Sequence, residues 1–511
     1  MNSRLSLFFR GSVFRILQTV AGTIVGFLLM PFLIARLGAE TYGLWVVVSS
    51  VVATYYLLDV GFNQGVTRYV TAHIHQEDFD SANRVINTAL AIYTGLGACV
   101  LLVSVLFAFA GVDRLVENPD KVALVQILLL IAGLQLAIEF PSKAFPGVIS
   151  AYMRFDWIAS VRTVRVIVDG VLIYLFVSSG YGLVAIAVIG FVTGLTSTYI
   201  YVRIVNHLFQ EARYSRDLID KNKFGELFHF SKWVFVLDTS NMLRDKVGPW
   251  FIAYFLGNAI LTTFYVAVRL TDFAVTFLNQ AVGMTMPLFT ELYAKKRWEE
   301  LRQMLNRFLK LDLMLGVLTV CGFYVVGEVF IALWMGSDFP YHDAWRALVV
   351  LAIGRMAVFI TSPLQCILFA FNRHRVSALI SLAEIVTTCV LCVAWIPGHG
   401  ILGAAYAVTV PNLVARLLML VLATNAVFRF LSLILVVRAA TFALVASVLT
   451  YYMFGADLAK EPEFSLLLVR GLAVVTAVGA TSLMLLDKSD FVYVAGIVRR
   501  IWRGRGNQQP G

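Results

Sequence analysis

Charged side chains are scarce in this sequence. Only 14% of its 511 residues are Asp, Glu, Lys or Arg, while 59% are hydrophobic and the mean hydropathy is +0.81. Soluble proteins carry about 25% charged and about 45–50% apolar residues. The composition therefore excludes a soluble globular protein and predicts a polytopic membrane protein. The net charge of +10 is expected to set the membrane orientation, and we expect no nucleic-acid partner.

Motifs of catalysis are missing as well. The sequence has no Walker A loop, no His-Glu-x-x-His and no Gly-x-Ser-x-Gly, which argues against a nucleotide-driven pump, a zinc protease and an α/β-hydrolase. The seven histidines are scattered, and the five cysteines fall inside apolar runs, where cysteine is a small core residue. We therefore expect no enzyme activity, no cofactor and no metal site. Transport would be driven by an ion gradient, the membrane potential or the substrate gradient.

Gly/Ser-rich linkers, low-complexity tracts and soluble domains are absent too, and long apolar runs fill the chain. A membrane-spanning helix needs about 20 residues, and runs of this length fit helices rather than membrane barrels. The sequence therefore predicts an all-α fold with fourteen transmembrane helices. Their approximate ranges are 12–35, 41–66, 84–110, 121–148, 156–178, 181–206, 227–255, 258–290, 307–330, 345–371, 374–396, 401–424, 430–454 and 464–486.

Basic residues mark one side of the membrane. About 30 of the 41 lysines and arginines fall at the predicted helix boundaries of one side, and about 5 fall on the other. Lysine and arginine concentrate in cytoplasmic loops. This asymmetry therefore predicts that both termini are cytoplasmic, which requires an even number of helices.

A short motif occurs twice. Pro31 to Gly38 closes the first predicted helix, and Pro249 to Gly257 closes the seventh with one inserted residue. Two further pairs follow in the same order, Asn63-Gln64 with Asn279-Gln280 and Asn83-Arg84 with Asn306-Arg307. Six helices begin and end on the same side, so the copies would have parallel topology. We predict two pseudo-symmetric six-helix lobes around a central cavity, plus two extra C-terminal helices.

The repeat also sets the predicted domain boundaries. The N-terminal lobe, helices 1–6, is predicted to span 1–208 and to be followed by a cytoplasmic linker at 209–226. The C-terminal lobe, helices 7–12, is predicted to span 227–425. Helices 13–14 would then occupy 426–487, and a basic cytoplasmic tail 488–511.

The stretch 238–280 carries charge where lipid would forbid it. One charged residue at the centre of a lipid-facing helix costs roughly 2.5–3.5 kcal/mol, so these side chains should face protein or water. In the second of the two predicted helices of this stretch, polar residues recur at helical steps and share one face. They are Tyr265, Arg269, Asp272, Thr276 and Asn279. We predict a wet, arginine-rich cavity near the bilayer midplane. The alternative is that Arg269 and Asp272 form a buried ion pair that only fixes helix packing.

Other predicted helices also hold ionisable residues at depth, and such residues commonly mark substrate or ion pathways. Because the planar fork of arginine matches phosphate, a basic cavity favours an anionic cargo with a phosphorylated headgroup. The predicted cargo-binding residues are Arg244, Lys246, Arg269, Arg355 and Arg416. The candidates for binding a coupling ion are Asp59, Asp238, Asp272 and Glu384. A structural ion pair is the alternative for each, and it is strongest for Asp59, near the cytoplasmic end of its helix.

Three short segments resemble a known family. Leu37-Gly38-Ala39-Glu40-Thr41-Tyr42-Gly43-Leu44-Trp45, Leu58-Asp59-Val60-Gly61-Phe62 and Arg68-Tyr69-Val70 are similar to the polysaccharide transporter family. These are Wzx-type lipid-linked oligosaccharide flippases of the multidrug/oligosaccharidyl-lipid/polysaccharide exporter superfamily. The matched positions are mainly fold markers, and no binding role is carried over to them.

The resemblance implies two V-shaped six-helix lobes that move an undecaprenyl-diphosphate-linked glycan to the outer leaflet of a bacterial cytoplasmic (inner) membrane. The product would be a lipopolysaccharide or an exopolysaccharide. Helices 13 and 14 would provide a side groove or packing surface for a lipid tail. The implied partners are the lipid-linked oligosaccharide, membrane lipids, a glycan polymerase and glycosyltransferases.

Three other classes stay open. A drug or cation antiporter of the same superfamily would share the fold but should have an acidic cavity. A membrane polymerase or ligase of glycan assembly usually needs a large external loop, and the predicted external loops are short. A non-transporting scaffold for glycan assembly would tolerate loss of the buried charges.

Overall fold

The computed structural model describes residues 2–59, 62–112, 119–282, 289, 292, 295–336, 338–370, 374–426, 433–454, 464–487 and 490. Over these residues the fold is all-α, as predicted. The helices are α1 Asn2–Leu37, α2 Ala39–Tyr55, α3 Phe62–His75, α4 Phe79–Ala110, α5 Val122–Ser142, α6 Ala144–Ala151, α7 Phe155–Ser178, α8 Leu183–Leu208, α9 Lys221–Leu256, α10 Asn258–Val282, α11 Trp298–Met335, α12 Tyr341–Ile360, α13 Ser362–Ala370, α14 His374–Ala426, α15 Leu433–Phe454 and α16 Phe464–Ser482.

Eight helical segments within the described residues are long and apolar enough to cross a membrane. Many of their large apolar side chains are exposed, such as Leu106, Phe109, Val192 and Leu417, each at least 53% exposed. Apolar surface on this scale is unfavourable in water and indicates lipid contact. The chain is therefore a multi-pass membrane protein, while the count of fourteen spans and the cytoplasmic position of both termini stay predictions.

Several predicted spans are interrupted. The predicted helix 41–66 is split, because α2 ends at Tyr55 and a 3-10 turn, Tyr56–Asp59, precedes α3. The predicted helix 121–148 is split at Lys143, between α5 and α6. Hydropathy alone does not register these two breaks, since the residues around them stay apolar. The kink of α14 at Gly400, which has φ 57°, a conformation that glycine adopts without a Cβ clash, lies instead between the predicted helices 374–396 and 401–424.

The helices group into two units. One comprises the chain up to Tyr265 together with Thr388–Gly400. In this unit α4 packs on α5, α1 on α7 and α3 on α6. Its core is formed by fully buried side chains from α3, α4, α5 and α6, among them Val66, Tyr93 and Phe140. The predicted lobe boundaries stay predictions.

The other unit comprises Val266–Thr387 and Ile401–Gly511. Its longest uninterrupted helix, α11, packs on α12, α15 and α16. Val325 of α11 is completely buried in one apolar cluster with Phe442 of α15 and Val474 of α16. The two C-terminal helices are thus anchored to α11 by apolar packing.

The two copies of the predicted motif have the same backbone geometry. Gly38 between α1 and α2 has φ 83°, and Gly257 between α9 and α10 has φ 82°. Only glycine adopts this region readily, so each glycine permits a sharp helix–helix turn. Helix starts also recur at a constant spacing of 219 residues: Ala39 and Asn258, Phe79 and Trp298, Val122 and Tyr341, Phe155 and His374.

Candidate functional site

The polar face of α10 meets α12 through an ion pair. Nη2 of Arg355 lies 3.4 Å from Oδ1 of Asp272, and both residues belong to the same unit. The two side chains are 17% and 38% exposed, so the pair is only partly withdrawn from the surface. The structure thus pairs Asp272 with an arginine of another helix, whereas the sequence offered Arg269, its neighbour on α10.

Arg269 lies one helical turn from Asp272 and is half-buried. Its guanidinium carbon lies 5.2 Å from the centre of the Phe273 ring, a cation–π contact. Among the residues that the structure describes, no carboxylate lies within ion-pair distance of Arg269. Together Arg269, Asp272 and Arg355 form a cluster of two cations and one anion, which we call the α10–α12 cluster. Its net charge is positive.

Arg416 and Glu384 make a different kind of contact. Nη2 of Arg416 donates to Oε2 of Glu384 at 2.7 Å, and the side chains are 4% and 1% exposed. A buried pair of this kind holds two segments in register but is weak evidence for binding. The geometry favours the structural alternative that the sequence left open for both residues.

The predicted residues of α9 are less fully placed. The helix itself, Lys221–Leu256, forms as the sequence indicates, and Lys246 is half-buried on it. The side chains of Asp238 and Arg244 lie outside the described residues. The predicted convergence of α9 and the α10–α12 cluster on one cavity therefore stays a prediction.

Asp59 is hydrogen-bonded to two side chains of its own unit. The Tyr93 hydroxyl donates to Oδ1 at 2.5 Å, and Nζ of Lys143 donates to Oδ2 at 3.2 Å. The Lys143 ammonium also lies 4.2 Å and 4.4 Å from the ring centres of Phe140 and Tyr56. Each charge has a partner, so the geometry favours a structural role for Asp59. Sequence reasoning missed Lys143 as its partner because the residues are distant in sequence.

Replacing Tyr93 with phenylalanine tests this role. The phenyl ring fits the existing packing against Phe62 and Phe140, but Asp59 loses a hydrogen bond. A hydrogen bond to a charged group contributes about 1.5–3 kcal/mol, and we expect that loss in the free energy of unfolding measured in detergent. Tyr214→Phe, which removes an exposed hydroxyl bonded to Asn206, is the control and should be near neutral. Equal effects of both variants would contradict the structural role.

A second charged cluster joins α5, α7 and α8 in the same unit. Nη2 of Arg165 lies 2.9 Å from Oε1 of Glu139, and its Nε lies 3.7 Å from Asp169. Gly194 on α8 leaves the space that the Glu139 carboxylate occupies, since a methyl group there would overlap Oε1. The cluster is therefore built into the packing of three helices.

An apolar cavity lies within the second unit, between α11, α12 and α15. Its volume is about 530 Å³, and its lining residues include Val320, Tyr324, Ile353, Ser447 and Tyr451. Pockets for small molecules typically measure about 300–1,000 Å³. The cavity is large enough for part of a lipid chain, and its walls are chemically suited to one.

Charged residues also tie the C-terminal helices to α11. Nζ of Lys310 lies 2.6 Å from Asp487 and 2.7 Å from Asp490, and Arg438 of α15 pairs with Asp487 at 2.6 Å. The hydrogen bonds from Lys310 and then Arg438 lower the pKa of the Asp487 carboxyl, which lies beyond the end of α16. Three helices therefore meet at this network.

The described residues contain no group of three or more His, Cys, Asp or Glu side chains placed to hold a metal ion. The ionisable residues instead form separate ion pairs and small networks. Such an arrangement offers charge for binding and release.

Comparison with known sequences identifies relatives. Residues 33–342 match the profile of the family described as "Polysaccharide biosynthesis protein". The chain is 22% identical over 414 residues to a protein described as an O-antigen transporter of Shigella flexneri, covering 78% of this chain and 93% of the relative. It is 21% identical over 405 residues to the uncharacterized membrane protein EpsK of Bacillus subtilis (strain 168), covering 78% and 77%.

Solved structures share the fold. The lipid II flippase MurJ in an inward closed conformation matches with a TM-score of 0.72 at 14% identity, covering 94% of this chain and 100% of that one. A mutant of the MATE transporter VcmN from Vibrio cholerae matches with a TM-score of 0.62 at 16% identity, covering 83% and 98%. The predicted resemblance to Wzx-type flippases of the multidrug/oligosaccharidyl-lipid/polysaccharide exporter superfamily is confirmed, and this membrane protein belongs to the polysaccharide biosynthesis protein family.

Proposed function

We propose that this protein flips an undecaprenyl-diphosphate-linked oligosaccharide across the bacterial cytoplasmic (inner) membrane, for synthesis of a cell-surface polysaccharide. It would act as a transporter and not as an enzyme. The observation that carries the proposal is the family match, which spans residues 33–342. The relatives named as an O-antigen transporter and a lipid II flippase act, by those names, on lipid-linked saccharides or their polymers.

The charge of the α10–α12 cluster supports a diphosphate cargo. No described carboxylate neutralises the half-buried guanidinium of Arg269, and Arg355 adds a second cation beside Asp272. Arginine binds phosphate oxygens through two parallel hydrogen bonds. We place the diphosphate at Arg269 and Arg355. A contribution from Lys246 and Arg244 of α9 stays a prediction of the sequence. Arg416 is the weakest of the predicted contacts because Glu384 neutralises it.

The apolar cavity beside α15 supports a lipid tail. It is lined by α15, the first of the two helices that lie outside the predicted repeat, and by α11 and α12. A long isoprenoid chain cannot cross the protein interior with the glycan, so it needs an apolar side surface. We place part of the chain in this cavity.

Filling the cavity should therefore slow transport of long carriers. In Ser447→Phe the added ring takes the space of about two methylenes of the lipid chain. Burying each methylene contributes about 0.8 kcal/mol, so we expect the rate of flipping of a long polyprenyl carrier to fall about tenfold. A short-chain carrier should be unaffected. Val437→Phe changes an exposed residue of the same helix, about 15 Å from Ser447 at about 1.5 Å per residue, and is the matched control. Equal rates for long and short carriers in Ser447→Phe would remove the tail assignment.

The recurring helix starts support transport by alternating access. Helices of the first part of the chain reappear after 219 residues with the same glycine turn, the pattern expected of a duplicated six-helix unit. Two such lobes related by an axis along the membrane normal are common among transporters that open alternately to each side. The coupling candidates Asp59 and Glu384 are engaged in ion pairs. Asp272 is likewise paired with Arg355, and the side chain of Asp238 lies outside the described residues, so the pairing singles out none of the four.

The decisive experiment is a deletion strain assayed for its lipid-linked oligosaccharide. Loss of this gene should strand the oligosaccharide on the cytoplasmic leaflet, where it is inaccessible to an external glycosidase in intact spheroplasts. Re-expression of the chain should restore access. Normal externalisation in the deletion strain would overturn the proposal. A glycan polymerase and glycosyltransferases are the expected partners of the same assembly process.

A drug or cation antiporter is the second candidate, and the likeness to MATE transporters is the observation that favours it. Purified protein in vesicles distinguishes the two: an antiporter should export an organic cation when a proton or sodium gradient is applied. The positive α10–α12 cluster argues against a cationic cargo.

A further inference from the structure

Asp312 of α11 is a buried carboxylate without a cation beside it. Its side chain is 0% exposed, and neither Oδ1 nor Oδ2 has a hydrogen-bond partner. Every other buried carboxylate in the described part of the chain is paired: Asp156 with Arg154, Glu384 with Arg416, and Asp490 with Lys310. Asp312 therefore differs from the carboxylates that fix helix packing.

The face of α11 around Asp312 is apolar. Residues three and four positions away share a helix face, and these positions hold Phe308, Leu309, Leu315 and Gly316. The first three pack into two apolar clusters with residues of α12 and α13. A methyl group at Gly316 would lie 2.8 Å from Ile360, so α11 and α12 are in close contact. Among the described residues, no donor forms a hydrogen bond with the Asp312 carboxylate.

Charged groups on the helices packed against α11 are paired or placed elsewhere, while the Cys366 thiol of α13 shares the apolar cluster of Phe308 and Leu309. α11 packs on α12, α13, α15 and α16. The ionisable residues on these helices include Arg355, Cys366, Arg438 and Arg470, and Asp487 and Asp490 follow the end of α16. Arg355 pairs with Asp272 and Arg438 pairs with Asp487. Asp487, which follows the end of α16, contacts Lys310, two residues from Asp312. Arg470 lies in the first half of α16, 17 residues before Asp487, and is therefore distant from Asp312.

The outer groups are remote from Asp312. His342 at the start of α12 contacts Glu328 at 2.8 Å, so it, Asp343 and Arg346 lie about 24 Å along α11 from Asp312 at about 1.5 Å per residue. Tyr451 and Tyr452 of α15 line the apolar cavity beside Tyr324. No ionisable group on these elements hydrogen bonds to Asp312.

We infer that Asp312 is a proton-binding site that couples transport to a proton gradient. An ionised carboxylate with neither cation nor hydrogen bond is strongly disfavoured in apolar surroundings, so this environment holds the neutral acid. When the transport cycle admits water to α11, the O–H bond breaks, the electron pair stays on the carboxylate oxygen and the proton passes to water. The inference rests on the proposed function, because coupling requires a transport cycle.

Infrared difference spectroscopy of the purified protein tests the protonation directly. Titration from neutral to alkaline pH should remove a carbonyl stretching band of a protonated carboxylic acid in the wild type. This band should be missing in Asp312→Asn, which is close in shape and permanently neutral, and present in Asp343→Asn, which changes an exposed acid at the start of α12. Persistence of the whole band in Asp312→Asn would overturn the assignment.

Vesicle flipping tests the coupling. With one proton per cargo, each unit of pH gradient should change the steady-state leaflet ratio of a fluorescent polyprenyl-diphosphate sugar about tenfold, and the sign distinguishes co-transport from exchange. Asp312→Asn should respond to no gradient, whereas Asp343→Asn should respond as the wild type. A wild type that flips without regard to the gradient, or an unchanged response in Asp312→Asn, overturns the inference. A wild type that does not flip the probe contradicts the proposed function, while the infrared result still decides the protonation of Asp312.

Discussion

Arg269→Gln is expected to lower the rate of flipping of a diphosphate-linked lipid by about 10- to 100-fold. A charge-assisted hydrogen bond contributes about 1.5–3 kcal/mol, and Arg269 holds the cation of the α10–α12 cluster that no described carboxylate neutralises. Arg269→Lys keeps the charge but loses the planar fork, so its flipping rate should lie between those of the wild type and Arg269→Gln. The measurement is the rate at which a fluorescent polyprenyl-diphosphate sugar becomes accessible to a membrane-impermeant quencher in reconstituted vesicles.

The matched control for this measurement is Arg297→Gln. Arg297 is exposed in the turn before α11 and pairs with Glu300 on the surface, where an ion pair contributes about 0–1 kcal/mol. Its rate should equal that of the wild type. If Arg269→Gln also flips at the wild-type rate, while both variants keep the wild-type unfolding temperature, the α10–α12 cluster does not bind the cargo. The family assignment would be unaffected, because it depends on the chain as a whole.

The sequence predicted the helical architecture well because hydropathy reports directly on lipid burial. Long apolar runs predicted the helices, and the repeated motif located the glycine turns at Gly38 and Gly257. It did not predict the breaks after Tyr55 and at Lys143. Those breaks arise from local backbone geometry inside runs that stay apolar, which a count of hydrophobic residues does not detect.

Partners of the buried charges were harder to predict than the charges themselves. Helical spacing identifies neighbours on the same helix, so it offered Arg269 for Asp272, whereas Arg355 of α12 also reaches that carboxylate. Lys143 is the partner of Asp59 from 84 residues away. The same limitation hid Asp312, since its isolation follows from the neighbouring helices and not from its own segment.

The clearest separation of structure from function concerns Arg416 and Glu384. We expect Arg416→Met and Glu384→Leu each to lower the free energy of unfolding by about 3–5 kcal/mol, since each leaves a buried charge without its partner. In the double variant no charge is left unpaired, and replacing a buried pair with apolar residues is often neutral or stabilising. The free energy of unfolding of the double variant, measured in detergent, should therefore be close to the wild-type value.

Transport by the double variant then decides which role the pair has. The side chains are 4% and 1% exposed and 2.7 Å apart, a geometry that leaves little of the guanidinium for a cargo. We therefore expect the stable double variant to flip a polyprenyl-diphosphate sugar within about threefold of the wild-type rate, a change of about 0.7 kcal/mol or less. A double variant with restored stability and a rate reduced as far as that of Arg269→Gln would instead show that Arg416 leaves Glu384 during the cycle. In that case the pair is a gate that exchanges its internal partner for the phosphate, and burial in one state would not exclude binding in another.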